Sequence, residues 1–147
     1  MPKPARTPLG LTLARVAKGV ARAFEAALAE AGGSQPIWLI LISLKTRQLG
    51  NQRELAEAVG IEGATLTHHL TAMEDGGLIT RTRDPENRRV QRVTLTAAGE
   101  TLFHELRGAA VAFDKKLRAG LSDEMVANLE NLLTKLQANV SRNSDAR

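Results

Sequence analysis

The apolar positions between residues 51 and 75 follow the pattern of two short helices that share a small core. Apolar side chains recur there at spacings of three and four, which places them on one face of each helix. The inward positions are Leu55, Val59, Ile61, Leu66, Leu70 and Met73. Asn51 is a favourable N-cap for the first helix, Ala56 lets the two helices approach, and Gly60 can adopt the left-handed conformation that ends the first helix. The second helix therefore begins near Glu62, and the pattern predicts a helix-turn-helix.

The outer face of the second predicted helix is short, polar and almost uncharged. Successive residues of a helix turn by about 100°, so the positions opposite the core follow from the spacing. They are Ala64, Thr65, His68 and Thr71, with Thr67 and His69 on the flanks. Hydroxyl and imidazole groups reach base edges only when the helix backbone comes close to DNA, and the neighbouring Gly63 permits that approach. We interpret this face as a candidate DNA recognition surface, although any two amphipathic helices joined by glycine share the pattern.

A basic β-hairpin is predicted directly after the helix pair. Gly76 and Gly77 end the second helix, residues 78–83 and 90–95 alternate as strands, and the intervening Asp-Pro-Glu-Asn has the composition of a turn. The arginines of this segment are Arg81, Arg83, Arg88, Arg89 and Arg92. Arginines next to the hairpin tip can enter a narrow minor groove, whose negative potential is enhanced. A solvated run of charge is the alternative interpretation, but its place beside a helix-turn-helix favours nucleic-acid contact.

The order of helix, helix-turn-helix and LIxRxRDPxNRRxxxVxLTxxGE resembles the MarR family of winged-helix transcriptional regulators. The resemblance covers nearly the whole chain, and LTAAGE at residues 95–100 is its most specific part after the wing. It implies an obligate homodimer that binds a pseudo-palindromic operator, mostly as a repressor released by small anionic or phenolic ligands or by thiol oxidation. The family often has Asp at the position of Asn87, where it orients a wing arginine, so the aim of Arg89 is left open. The chain has no cysteine, which removes the thiol-oxidation branch.

Further helices are predicted on both sides of the winged segment. Before it, a first amphipathic helix begins at Leu9, and Pro36 starts a second helix that is apolar nearly all round and therefore buried. After it, Thr96 and Ser122 are the predicted N-caps of two more helices, which are separated at Gly120. The fold class is therefore mainly α (α+β): a winged helix-turn-helix with a two-stranded β-wing and a helical dimerisation region built from the N-terminal and C-terminal helices.

The first and last helices carry apolar stripes that a chain this short cannot cover on its own. Pairing of two copies would bury both stripes in an intertwined, mostly apolar interface of the obligate type. An ordinary bundle within one chain is the alternative interpretation. The candidate interface residues are Leu13, Val16, Val20, Met125, Leu129, Leu132 and Leu136.

Length and charge agree with a small regulator in the cytoplasm. The 147 residues and formal net charge of +4 fit about one domain with a polyanionic partner. We predict a flexible arm at 1–8 and one regulator domain at 9–147, with a DNA-binding part at about 36–95 and a dimerisation part at about 9–33 and 96–140. The N-terminus has no apolar run, so neither a signal peptide nor a membrane anchor is expected.

The sequence offers a weak candidate for a ligand pocket and no candidate for catalysis. The sole tryptophan, Trp38, can line a pocket for a small aromatic or anionic effector, or it can pack in the core. The adjacent His68 and His69 point in different directions and His104 has no second histidine at zinc-motif spacing, so no metal or other cofactor is expected. A winged helix used for protein contact is the competing function, but such a hairpin would carry exposed apolar or aromatic groups rather than arginines.

Overall fold

Helices alternate with short capped breaks along most of the chain, and one hairpin interrupts them. A computed structural model describes residues 6–46 and 51–141. The elements of the described chain are α1 Leu9–Glu30, α2 Gln35–Thr46, α3 Gln52–Val59, α4 Gly63–Asp75, β1 Ile79–Arg83, β2 Gln91–Leu95, α5 Ala97–Leu117 and α6 Asp123–Ser141. This is the mainly α winged-helix architecture that the sequence predicts. Most of the predicted arm, residues 1–5, lies outside the described residues, and residues 6–8 are exposed without regular structure.

Side-chain caps mark the starts of α3 and α6 where the sequence predicts them. The Asn51 side chain accepts a hydrogen bond from the Glu54 backbone N–H at 2.8 Å at the start of α3. Ser122 Oγ does the same for Met125 N at 3.1 Å at the start of α6. Gly60 ends α3 with φ of 75°, a conformation that glycine adopts without steric cost. These local signals explain why the boundaries of the helix-turn-helix are predictable.

The start of α2 differs by one residue from the prediction. The helix begins at Gln35 rather than at Pro36, because Ser34 serves as its capping residue. Ser34 Oγ accepts from Ile37 N at 3.4 Å, and the Ser34 carbonyl accepts from Trp38 N at 2.9 Å. Proline is tolerated inside this first turn because its missing N–H would have no helical partner there.

The hairpin is an antiparallel pair whose register fixes the faces of the wing. Ile79 pairs with Leu95, Arg81 with Val93, and Arg83 with Gln91. Ile79 and Val93 are buried, so one face of the hairpin belongs to the core. An isolated bridge between Asn51 and Arg92 also joins the residue before α3 to β2. The wing is therefore tied to the helix-turn-helix through the backbone.

The core is built from the positions that helical periodicity placed inward. The described chain forms two compact units, one ending at Val111 and one beginning at Ala112, and the buried apolar residues all lie in the first. They are Leu28, Trp38, Ile40, Leu41, Leu55, Val59, Leu66, Leu70, Met73, Ile79, Val93, Phe103 and Leu106. The predicted helix-turn-helix core is thus confirmed, with Ile61 packed against it while partly exposed. The second unit holds the end of α5 and the whole of α6, which has no buried residue.

The LTAAGE segment joins the base of the wing to the start of α5. The Thr96 hydroxyl donates a hydrogen bond to the Gly77 carbonyl at 2.6 Å and accepts one from Gly99 N at 3.1 Å. Thr96 N donates to the Leu78 carbonyl at 3.0 Å. Gly99 faces the same Leu78 carbonyl so closely that a Cβ there would overlap the oxygen. Thr96 and Gly99 therefore both allow the first turn of α5 to pack directly against the base of the hairpin.

Among the described residues, no single helix has the length and apolar character needed to cross a membrane; α1 and α2 reach both only when taken together across a 75° bend.

Candidate nucleic-acid interface

The outer face of α4 is open to solvent along its length. The predicted recognition residues Ala64, Thr65, Thr67, His68 and Thr71 are all exposed, and His69 on the flank is half-buried. A Cβ at Gly63 would meet no other atom, so the space beside the first turn of α4 is open. The exposure of these side chains and the open space beside Gly63 allow a large ligand surface to approach the helix backbone.

Thr67 is exposed, but its hydroxyl bonds within the helix pair itself. Gln52 Nε2 donates to Thr67 Oγ1 at 2.6 Å, and that hydroxyl donates to the Gly63 carbonyl at 2.9 Å. The first bond fixes the start of α3 against α4. Thr67 therefore serves the geometry of the helix pair. Thr65, His68 and Thr71 face outward, and the Thr71 hydroxyl also accepts a hydrogen bond from Arg81 Nη2 at 3.2 Å.

The hairpin tip is shaped by side chains that bond to their own backbone. Asp84 Oδ1 accepts from Glu86 N at 2.9 Å, and Asn87 Oδ1 accepts from Arg89 N at 3.2 Å. Such short loops bend the chain without help from the rest of the protein. The sequence left open what Asn87 does for Arg89. In the structure the Asn87 side chain binds the backbone of Arg89, so it shapes the tip and leaves the guanidinium free of that contact.

The five wing arginines divide into an exposed group and a paired group. Among the described residues, no ion pair involves Arg83, Arg88 or Arg89, and all three are exposed. Arg92 is exposed too, but its Nη2 lies 3.0 Å from Asp84 Oδ2. The Glu86 backbone N–H and then the Arg92 guanidinium hold the pKa of Asp84 below its usual range. Asp84 therefore stays ionised and directs Arg92. Arg83, Arg88 and Arg89, here called the tip arginines, are paired with no described carboxylate.

Arg81 lies at the base of the wing and is held by α4. Its side chain is only 16% exposed, and its Nη2 lies 3.2 Å from both Glu74 Oε1 and Thr71 Oγ1. The other carboxylate oxygen of Glu74 accepts from Arg81 N at 3.0 Å. These hydrogen bonds, the side-chain bond above all, lower the pKa of Glu74. Sequence reasoning placed Arg81 with the DNA-contacting arginines and missed Glu74, whereas the structure brings the two together in a clamp between α4 and β1.

A groove of about 800 Å³ separates the wing from the helix pair. The first two turns of α3, the first residue of α4 and the return of the hairpin line it. The described lining residues are Asn51, Gln52, Arg53, Ala56, Glu57, Gly63, Arg89, Val90 and Gln91. Only Gly63 and Arg89 of this set were connected with DNA by the sequence. The remaining residues had no signal in the sequence, because the groove exists only once α3 and β2 are side by side.

Trp38 has a clear packing role. It is buried, and its ring stacks on Phe103 with centroids 5.8 Å apart and planes 12° apart. This contact joins α2 to α5 within the core. The packing alternative that the sequence left open therefore describes the residue, and a ligand pocket at Trp38 stays a prediction. Among the described residues, no group of three or more His, Asp or Glu side chains is placed to hold a metal ion.

The candidate dimer residues are largely exposed in the single chain. Leu13 and Val16 of α1 and Met125, Leu129 and Leu132 of α6 are exposed apolar side chains. Val20 and Leu136 are half-buried. Each helix thus presents an apolar stripe of its own to the surroundings.

These surfaces on this fold define a winged helix-turn-helix protein. Residues 34–90 match the model of the MarR family. A MarR-family transcriptional regulator from a Rhodococcus species is similar at 26% sequence identity and a TM-score of 0.73, over 87% of this chain and 91% of that chain. The chain has the fold of MarR-family transcriptional regulators, which confirms the resemblance that the wing and LTAAGE motifs indicated.

Two other similar structures show bound or regulated relatives of this fold. A mutant of E. coli MarR in complex with operator DNA is 23% identical with a TM-score of 0.77, over 88% of this chain and 93% of that chain. BpsR of Bordetella bronchiseptica, whose DNA binding is regulated by 6-hydroxynicotinic acid, is 21% identical with a TM-score of 0.77, over 93% and 98% of the two chains. At these identities the likeness is one of fold.

Proposed function

We propose that this protein is a sequence-specific regulator of transcription that binds duplex DNA as a homodimeric repressor. The observation that supports this most strongly is the combination of two exposed surfaces on one compact unit. The open polar face of α4 has the size and chemistry to enter a major groove, and the tip arginines of the wing lie beside it with no described carboxylate paired to them. Catalysis has no part in this proposal, and the cytoplasm is the compartment where such a protein would meet its operator.

The two surfaces would divide the work of binding. Guanidinium groups of Arg83, Arg88 and Arg89 would supply attraction to phosphate and to a narrow minor groove, which positions the protein on any sequence. The side chains of Thr65, His68 and Thr71 would read base edges. The clamp formed by Glu74 and Arg81 supports this division, since it holds wing and recognition helix in a fixed relation.

Dimerisation would double the interface and give the operator its symmetry. The exposed stripes on α1 and α6 are the surfaces that a second copy would cover. Two recognition helices related by a two-fold axis read half-sites about 34–36 Å apart, which is one turn of the duplex. A pseudo-palindromic operator follows from that symmetry.

A small aromatic or anionic effector would release the repressor. The support comes from the relative BpsR, whose DNA binding responds to 6-hydroxynicotinic acid. An effector needs only about 1–3 kcal/mol of preference for a geometry that does not fit the operator. Such a preference changes operator affinity by about one to two orders of magnitude.

The test is a footprint of the purified protein on the DNA that flanks its own gene. We expect protection of a two-fold symmetric site, lost when 6-hydroxynicotinic acid or salicylate is added. Absence of protection on any duplex, together with capture of a protein partner through the wing, would show that the winged helix serves protein contact instead. Protection that neither acid affects would uphold the regulator and refute the proposed release by these effectors.

A further inference from the structure

The groove between the wing and the first turn of α3 lies where a DNA strand has to pass. This inference rests on the proposed function, since it takes α4 to lie in a major groove and the wing tip in the adjacent minor groove. The two grooves of a duplex are separated by one sugar-phosphate strand. That strand must therefore cross the protein between α4 and the tip, and the groove opens between Gly63 at the start of α4 and Arg89 at the tip.

The elements that line this groove are connected to one another by direct contacts. The bridge between Asn51 and Arg92 joins the residue before α3 to β2, on the wing side. The hydrogen bond from Gln52 to Thr67 joins the same turn of α3 to α4. All three elements around the groove are thus joined to one another by backbone pairing or a hydrogen bond.

The charges that line the groove favour a phosphate. Arg53 projects from α3 with a side chain that is 90% exposed, and the exposed Arg89 lines the groove from the hairpin. Glu57 is the one acidic residue among the described residues that line the groove. Its Oε1 is 3.9 Å from Arg53 Nε, in an exposed pair one helical turn apart, and such pairs are weak. Guanidinium groups bind phosphate oxygens in a bidentate way, so phosphate would displace this contact at small cost.

We infer that this groove seats one phosphodiester strand of each half-site, with Arg53 binding its phosphates from α3 and Arg89 from the hairpin. Arg53 is then a backbone-contacting residue that lies outside both the recognition helix and the wing. Its role is positional, because a phosphate contact has the same strength on every sequence.

The test compares three charge variants in salt titrations of operator binding. Arg53→Gln removes one phosphate contact per subunit, so the log-log salt slope of the dimer should fall in magnitude by about 1.8, from about 0.9 per contact. Glu57→Gln removes the competing carboxylate and should tighten binding to all sequences. Arg107→Gln, on the exposed surface of α5, is the control with the same change of charge and should leave the slope unchanged.

A second measurement locates the contact on the DNA. Uncharged methylphosphonate linkages are placed one at a time along a half-site, and binding is measured for the wild type and for Arg53→Gln. Several positions should weaken the wild type, and at one of them the variant should be insensitive, since the linkage and the substitution there remove the same interaction. If Arg53→Gln behaves as Arg107→Gln does on an operator that the wild type binds, the groove inference is wrong and the proposed function stands. If the wild type binds no duplex, the proposed function is itself wrong.

Discussion

Gly99 is the clearest example of a single residue on which the packing of α5 against the hairpin depends. It sits in the first turn of α5, and its Cα faces the Leu78 carbonyl, which also accepts the Thr96 N–H. A side chain at this position would push α5 away from the hairpin. Because backbone atoms line the contact on both sides, no rotamer change can relieve the overlap.

Gly99→Ala should therefore destabilise the protein by about 1–3 kcal/mol or more, through overpacking against backbone. Gly108→Ala is the matched control, because it lies in the same helix where a Cβ meets no other atom. It should be neutral or stabilising by about 0.5–1 kcal/mol, since alanine is the better helix former. Urea unfolding of both variants measures the difference. Equal stabilities of the two variants would show that the junction yields easily.

The ion pair between Glu74 and Arg81 is a second contact in which a single residue should affect the stability of the fold. The carboxylate binds both the guanidinium and the backbone N–H of Arg81, and this lowers the pKa of Glu74. A lowered pKa in the folded state means that the pair stabilises the fold above the ordinary glutamate value of 4.5. That contribution disappears as the pH falls through the lowered pKa, where the folded carboxylate takes up its proton.

Glu74→Gln should thus be less stable than the wild type at neutral pH, and the gap should close as the pH falls through the lowered pKa of Glu74. The measurement is urea unfolding of both proteins across this range. Asp84 also has a lowered pKa, but it titrates in both proteins and cancels from the difference. A gap of constant size would mean that the glutamine variant loses shape or packing rather than the ion pair.

At the scale of elements, α4 and the wing have chemically different surfaces, so substitutions in them should have different effects on DNA binding. The wing tip concentrates positive charge next to the turn, whereas the outer face of α4 has hydroxyl and imidazole groups and almost no charge. Phosphate and minor-groove contacts raise affinity for all sequences, and base-edge contacts separate one sequence from another.

Arg88→Ala or Arg89→Ala should consequently weaken binding to most duplexes together. Thr65→Ala or His68→Ala should flatten the preference at particular base pairs by about 1–3 kcal/mol. Binding to a library of single-base operator variants tests both statements. Arg107→Ala is the control, because Arg107 is exposed and belongs to α5 rather than to α4 or the wing. The reverse pattern would show that readout belongs to the wing and positioning to the helix.

The parts of this interface that sequence alone predicts are those determined by local signals. Asn51, Gly60 and Ser122 mark helix boundaries through bonds to residues a few positions away, and helical periodicity finds the core from Leu55 to Met73. The clamp between Glu74 and Arg81 and the groove beside Arg53 join residues that only tertiary packing brings together. Their positions depend on how α4 meets β1 and how α3 meets β2, and periodicity carries no information on either. The one-residue error at the start of α2 has a local cause. Ser34 is the N-cap, so the helix begins at Gln35, and Pro36 occupies the second helical position.

At the scale of the whole molecule, the exposed apolar stripe on α6 is a surface that a second copy of the chain could bury. Its apolar residues recur along one face while none is buried in the described chain. Leaving such a stripe in water costs about 25 cal/mol for each Å² that a partner would otherwise cover. A second copy is the cover that the proposed operator symmetry requires, because two half-sites need two recognition helices.

Leu132 lies within this stripe and is 52% exposed in the single chain, so Leu132→Asp should leave the monomer folded while placing a carboxylate in the proposed subunit interface. An unpaired charge buried there costs several kcal/mol, and the subunits should separate. Tight operator binding should be lost with them, because one winged helix on one half-site forfeits the gain from linked binding. Asn131→Asp, off the stripe on the same helix, introduces the same group and should change neither property. Sedimentation at micromolar concentration, beside a gel-shift titration, measures both; a wild type that sediments as a monomer while binding its operator tightly would refute the dimer.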